Sequence, residues 1–140
     1  MAQERALLVT ARGADKLRRA LASAGFLNAD CAASAGEARR IAAQDSWPLV
    51  VINAPLPDET GLELAMELTA TTLSAVVLLV RTELMSMVYT PATEAGVLVV
   101  GKPVIPQILQ QSVQLAAATH SRLVTLKHEN EQLHRKLDEI

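Results

Sequence analysis

Three cations and one amide carry most of the chemistry this chain could do. Arg12, Arg81 and Lys102 are spaced so that each falls just after, or at the end of, a short apolar run, and Asn53 closes another. Converging guanidinium and ammonium groups suit an anion, so Arg12, Arg81 and Lys102 are a candidate pocket for a small phosphorylated or carboxylated effector. No glycine-rich phosphate loop accompanies them. The nearest carboxylates are Asp15, read as the first turn of a helix, and Asp58, read as a turn residue. His120, His128 and His134 all lie in the C-terminal segment, and His120 and His128 lack the i,i+4 spacing that chelation prefers. Cys31 reads as a small core residue. With no nucleophile–base pair and no metal-ligand spacing, we expect no enzyme activity, no metal and no cofactor.

The elements that must position these residues follow from the apolar pattern. Ala6–Thr10 is a short apolar run, a strand buried on both faces. Leu17, Leu21 and Ala24 recur at helical spacing, and Gly25 is a stop. Ala29–Ala33 is a weak strand. Ser34, with Glu37 three residues on, predicts a capping box for a second helix that turns Ala38, Ile41 and Ala42 inward and ends near Gln44. Leu49–Ile52 is the third strand. Thr60–Thr69 predicts a helix with Leu62, Met66 and either Leu64 or Leu68 facing in. Ala75–Val80 is the fourth strand. Thr82–Ala95 has helical character but contains Pro91, which predicts a short, split or irregular element. Val97–Val100 is the fifth strand, and Pro106 stands near the start of a final helix. Strands alternating with helices predict an α/β fold, a parallel sheet covered on both faces. Such sheets carry their functional crevice at the carboxyl ends of the strands, where Thr10, Ala11, Asn53, Val80, Arg81 and Lys102 fall.

Three marks, in order, resemble a response-regulator receiver domain over about Ala6 to Leu115. They are Pro57 to Gly61 after Asn53, Glu94-Ala95-Gly96 before the fifth strand, and Lys102-Pro103 after it. The resemblance implies a flavodoxin-like sheet of five parallel strands in the order 2-1-3-4-5, and a cis bond before Pro103. It also implies a site. Active receivers accept a phosphoryl group on an aspartate, with two acidic residues holding Mg²⁺ and a hydroxyl and a lysine on the phosphoryl oxygens. Phosphoryl transfer of this kind rests on positioning and charge neutralisation.

This chain departs from that pattern nearly everywhere. The acceptor position is Asn53, and the acid pair falls on Thr10 and Ala11. The hydroxyl position is Val80, and the aromatic switch position is Val99. Lys102 alone is retained, and it reads as structural, donating to the Asn53 amide and to backbone carbonyls. Without the carboxylates, a divalent cation would meet a neutral or positive crevice. The resemblance therefore implies a degenerate, non-phosphorylatable receiver. A receiver using other acids, such as Asp15 or Asp58, and a flavodoxin-like module for a small anion are the alternatives.

From Pro106 to Ile140 there is no glycine and no further proline. One helix over that span would be about 50 Å long. Leu123, Leu126, Asn130, Leu133, Leu137 and Ile140 follow a 3-4 spacing, the seam of a coiled coil with one core asparagine. We therefore expect a receiver-like domain over 1–115, a helical extension over 116–140 and a homodimer through that extension. Leu126 to Ile140 is also similar to the linker of receiver proteins with an ANTAR output domain, which bind RNA and oppose transcription termination. That resemblance implies an output domain absent from these residues, and RNA as a partner only through it. A regulatory protein or small ligand is the implied source of control.

Composition sets the outer bounds. The chain has 140 residues, half of them apolar, with 2% aromatics, so an aliphatic core is expected. A net charge of −2 offers no electrostatic basis for nucleic-acid binding by these residues. No apolar stretch approaches the ~20 residues of a membrane span, no signal peptide is evident, and a lone cysteine suits a reducing, cytoplasmic setting.

Overall fold

A computed structural model describes residues 5–139, with side chains to 136. Five strands, β1 (Arg5–Val9), β2 (Asn28–Ala32), β3 (Leu49–Asn53), β4 (Ala75–Arg81) and β5 (Leu98–Lys102), form one parallel sheet in the order β2-β1-β3-β4-β5. The helices are α1 (Ala14–Ser23), α2 (Ala35–Gln44), α3 (Leu62–Thr71), α4 (Met85–Ala95) and α5 (Pro106–Glu139). Burial explains the continuous apolar runs. β1, β3 and β4 are interior strands whose two faces are both covered, whereas edge strand β2 is only partly covered.

Alternate residues serve two cores. Leu7, Val9, Val50, Ile52 and Leu78 pack against α2, α3 and α4, while Ala6, Leu8, Val51, Val77 and Leu79 pack against α1 and α5. The core is aliphatic with two exceptions, since Phe26 and Trp47 are both buried. Burying one such ring stabilises by roughly 1.5–3 kcal/mol, so these two sites carry weight out of proportion to the composition.

Three local expectations change. The Thr82–Ala95 segment is indeed divided, into a 3-10 turn at Thr82–Leu84 and then α4, but α4 runs unbroken through Pro91. The buried inner residues of α3 are Leu64, Ala65 and Leu68, with Leu62 and Met66 only half-buried. Asp58 does more than sit in a turn. Its two carboxylate oxygens accept from the Ala35 and Gly36 backbone N–H groups at 2.9 and 3.0 Å, capping α2 from 22–23 residues away. Ser34 adds its own cap through Glu37 N–H at 3.2 Å, while the Glu37 carboxylate accepts from Ala33 N–H, one residue before the N-cap.

Gly61 shows why a residue without a side chain opens α3. Its φ of 105° is left-handed, and a Cβ there would lie 3.2 Å from Ile52 Cγ2. Glu59 supplies the cap that glycine lacks. One of its oxygens accepts from Leu64 N–H and the other from Arg39, which also pairs with Glu67 at 3.0 Å. That network ties α2 to α3.

Candidate functional site

The strand order turns at β1 and β3, and the side chains at their carboxyl ends meet there. Asn53 ends β3 half-buried. Its amide donates to Thr10 Oγ1 at 3.0 Å, and its carbonyl oxygen accepts from Lys102 Nζ at 2.8 Å. Lys102 also donates to the backbone carbonyl of Ala54. Thr10 is buried, and its hydroxyl donates to the Arg12 carbonyl while accepting from Asn53 and from Arg12 N–H. The result is a closed polar network. Among the described residues, no buried side-chain nitrogen or oxygen is left without a partner.

The network contains no carboxylate. Ala11 and Arg12 are exposed beyond β1, and Val80 is a buried, hydroxyl-free residue on β4. Val99 is half-buried against the α2–α3–α4 core. The nearest hydroxyl past Val80 is Thr82, which donates to the Lys102 carbonyl at 2.8 Å. Gly101 permits that approach, because a Cβ there would stand 2.9 Å from Thr82 Oγ1 and from Met85 Sδ. Burial, and secondarily the charge of Arg81, hold the Lys102 ammonium below the ordinary lysine pKa. An attacking or metal-bound group would find one cation here and no counter-charge. Among the described residues, no three His, Cys, Asp or Glu side chains converge as metal ligands.

The three cations singled out in the sequence divide between two places. Arg12 and Lys102 line one groove with Asn53, between α1 and the start of α5. Arg81 lines a separate, largely apolar recess with Val80, Leu84 and Met87, and stands 3.9 Å from Glu83. Two further cations in the first groove, Lys16 and Arg19, escaped the sequence reading. Their only signal was a 3-residue spacing on a helix face that looked solvent-directed. The peptide bond before Pro103 is cis, as is that before Pro55. Asp15 is exposed in the first turn of α1, and Asp58 is committed to α2.

The helical extension is unbroken. α5 buries Leu109, Val113 and Ala116 in the body, and the His120 ring still hydrogen-bonds the Leu73 carbonyl at 2.7 Å. Every described side chain from Ser121 to Lys136 is exposed. That includes Leu123, Leu126, Asn130 and Leu133 of the expected seam; the side chain of Leu137 and the whole of Ile140 lie outside the described residues. Among the described residues, no helix is long and apolar enough to cross a membrane.

No protein-family model matches the chain, and no curated protein is recognisably similar to it in sequence. Solved structures are similar in fold. A CheY-like response regulator receiver domain from Methylobacillus flagellatus superposes with a TM-score of 0.71 at 24% identity, over 82% of this chain and 99% of that one. The signal receiver domain of an HD domain-containing protein from Pseudomonas fluorescens Pf-5 gives a TM-score of 0.75 at 20% identity, over 87% and 93%. A structure described as adenylate cyclase from Rhodopirellula baltica gives a TM-score of 0.77 at 19% identity, over 94% and 98%. The fold is that of a CheY-like receiver domain, with five parallel strands in the order 2-1-3-4-5 and a long C-terminal helix.

Proposed function

We propose that this chain is a non-phosphorylatable receiver-type module that dimerises through α5 and positions an output domain. The observation that carries this is the Thr10–Asn53–Lys102 network. Each polar group in it is engaged by another, and no carboxylate is present to accept a phosphoryl group or to hold Mg²⁺. The network serves to join β1, β3 and β5 at the sheet edge. Its role is positional, and it gives no reason to assign enzyme activity.

The dimer rests on the geometry of α5. Seven residues make nearly two helical turns and eleven just over three. Leu109, Val113, Ala116, His120 and Val124 therefore form one stripe, directed at the body. Ile108, Leu115, Leu126 and Leu133 form another, about a quarter turn or more away, and all four are exposed. A second helix can lie along this second stripe without displacing the body. Asn130 at one core position would fix the register of such a pair.

An RNA-binding antiterminator of the ANTAR type is the output we favour, on the resemblance of the extension to that linker. The Rhodopirellula structure, described as a cyclase, aligns over more of this chain than residues 1–115 could supply. That supports a receiver-type body with an extended last helix.

The reading is tested with acetyl phosphate and Mg²⁺, followed by intact mass. No species heavier by about 80 Da is expected, either in the natural chain or in Asn53→Asp, because that substitution restores neither the metal ligands nor the hydroxyl at Val80. Labelling of either chain would overturn the reading. Labelling lost on Asp15→Asn or Asp58→Asn would establish the alternative acceptor.

A further inference from the structure

Between α1 and the first turns of α5 lies an open groove of about 450 Å³, a size that small-molecule sites commonly have. Its polar lining is one-sided. Arg12, Lys16, Arg19 and Lys102 all border it, and no aspartate or glutamate does. Among the described residues, no carboxylate lies within 4 Å of any of these cations, since the ion pairs present use Arg5, Arg39 and Arg81. Its floor is apolar, made by Leu17, Ala20, Pro103, Val104 and Pro106.

The groove sits where a charged ligand would be useful to the protein. Four like charges around one recess repel one another, and an anion would relieve that repulsion. Lys102 spends two of its three N–H donors on Asn53 and Ala54 and has one left. Burial and Arg81 already disfavour its charge, and an anion beside it would reverse that. Gly13 opens α1 with no side-chain cap, so the first N–H groups of that helix have no side-chain acceptor. The guanidinium forks of Arg12 and Arg19 match phosphate oxygens in pairs.

We propose that this groove binds a small organic polyphosphate of the nucleoside di- or triphosphate class. Its phosphates lie among Arg12, Lys16, Arg19 and Lys102, and its flat apolar portion rests against Pro103 and Val104. The four cations call for a ligand with several negative charges, and the apolar floor calls for one with a hydrophobic body. A recess of this volume between two helices fits a compact molecule better than a polymer backbone. Because Pro106 and Gln110 of α5 also line the groove, an occupant would bridge α1 to the base of the long helix. The site rests on the lining of the groove and takes from the functional reading only the place of Lys102 in the polar network. Labelling by acetyl phosphate would sink that reading and leave the groove untouched, while absence of binding would sink the groove alone.

The test is calorimetric titration of the full chain with ADP, ATP, pyrophosphate and adenosine at low ionic strength. ADP and ATP should bind with a Kd below about 1 mM, pyrophosphate more weakly, and adenosine undetectably. Arg12→Glu/Arg19→Glu should weaken ATP binding by at least about 100-fold, since two charge-assisted contacts become repulsive. Arg40→Glu, which reverses the same kind of charge on exposed α2 across the sheet from the groove, should change it by less than about threefold. Both arginines of the double variant are exposed, and circular dichroism checks its fold; Arg12→Gln/Arg19→Gln is the fallback if it fails to fold. No binding of any phosphate, or equal losses in the groove and Arg40 variants, would overturn the proposal. So would a single-stranded RNA oligonucleotide binding more tightly than ATP.

Discussion

At the residue scale, the chain replaces charge with hydrogen bonds. Asn53 is a donor toward Thr10 and an acceptor toward Lys102, a pairing that an amide supplies without ionising and a carboxylate does not. The carboxylates do their work elsewhere, chiefly as helix caps. The backbone N–H groups of Ala35 and Gly36 hold the Asp58 carboxyl below the usual aspartate pKa, and Arg5 does the same for Asp45. A lowered folded pKa means stability that is present above the unfolded value of about 3.8 and is lost as pH falls through the folded one. Asp58→Asn should therefore reduce stability at pH 7 and flatten the decline on acidification below about pH 4. Urea unfolding at pH 7 and at pH 3 measures this, and an unchanged pH dependence would show that the cap contributes nothing. Lys102 runs the other way. Its folded pKa lies below the ordinary 10.5, so the cost of its charge persists at neutral pH and fades as pH rises toward that value.

At the element scale, the β3–α3 turn is a tight join. Gly61 combines a left-handed backbone with side-chain contacts from Ile52, Ala54 and Leu78. Gly61→Ala should cost about 1–3 kcal/mol, from backbone strain with added crowding, and lower Tm by several degrees. Thermal unfolding checks it, and a neutral result would mean that the turn can relax. The elements themselves were largely legible in the sequence. β1, β3 and β4 read as strands because burial on both faces demands unbroken apolar runs, and the Ser34 cap announced α2. What was not legible depended on distance along the chain. Asp58 caps a helix more than twenty residues earlier, and no local pattern records that contact. Lys16 and Arg19 looked like an ordinary wet face of α1, because the segment that makes it a groove begins at Lys102. Pro91 misled for a different reason. The missing donor costs one hydrogen bond, and the packing of Ala92 and Val88 on the core keeps the helix intact around it.

At the scale of the whole molecule, α5 belongs to two structures at once. Its first half completes the core through Leu109 and Val113, and its second half presents leucines to solvent. Leu126→Lys/Leu133→Lys should therefore leave the thermal stability of the body unchanged and yield a monomer. Sedimentation at micromolar concentration, against a dimer for the natural chain, gives the comparison. A natural chain that is already monomeric would remove α5 as a dimer seam. The resemblance visible in Asn53, Gly61 and Lys102-Pro103 pointed to the right fold because those positions shape the sheet edge whether or not phosphate is handled there.

The His120–Leu73 hydrogen bond is the last described tie between the long helix and the body, and that makes it a fulcrum. From His120 to Glu139 the helix projects about 29 Å. A rotation of about 10° at that point would sweep the far end through about 5 Å, close to one helical pitch. The base of the same helix lines the cationic groove, about three to four helical turns before the fulcrum. A rigid rod held in this way is a lever. Its short arm lies beside the sheet edge, and its long arm magnifies any displacement there without a phosphoryl group being moved.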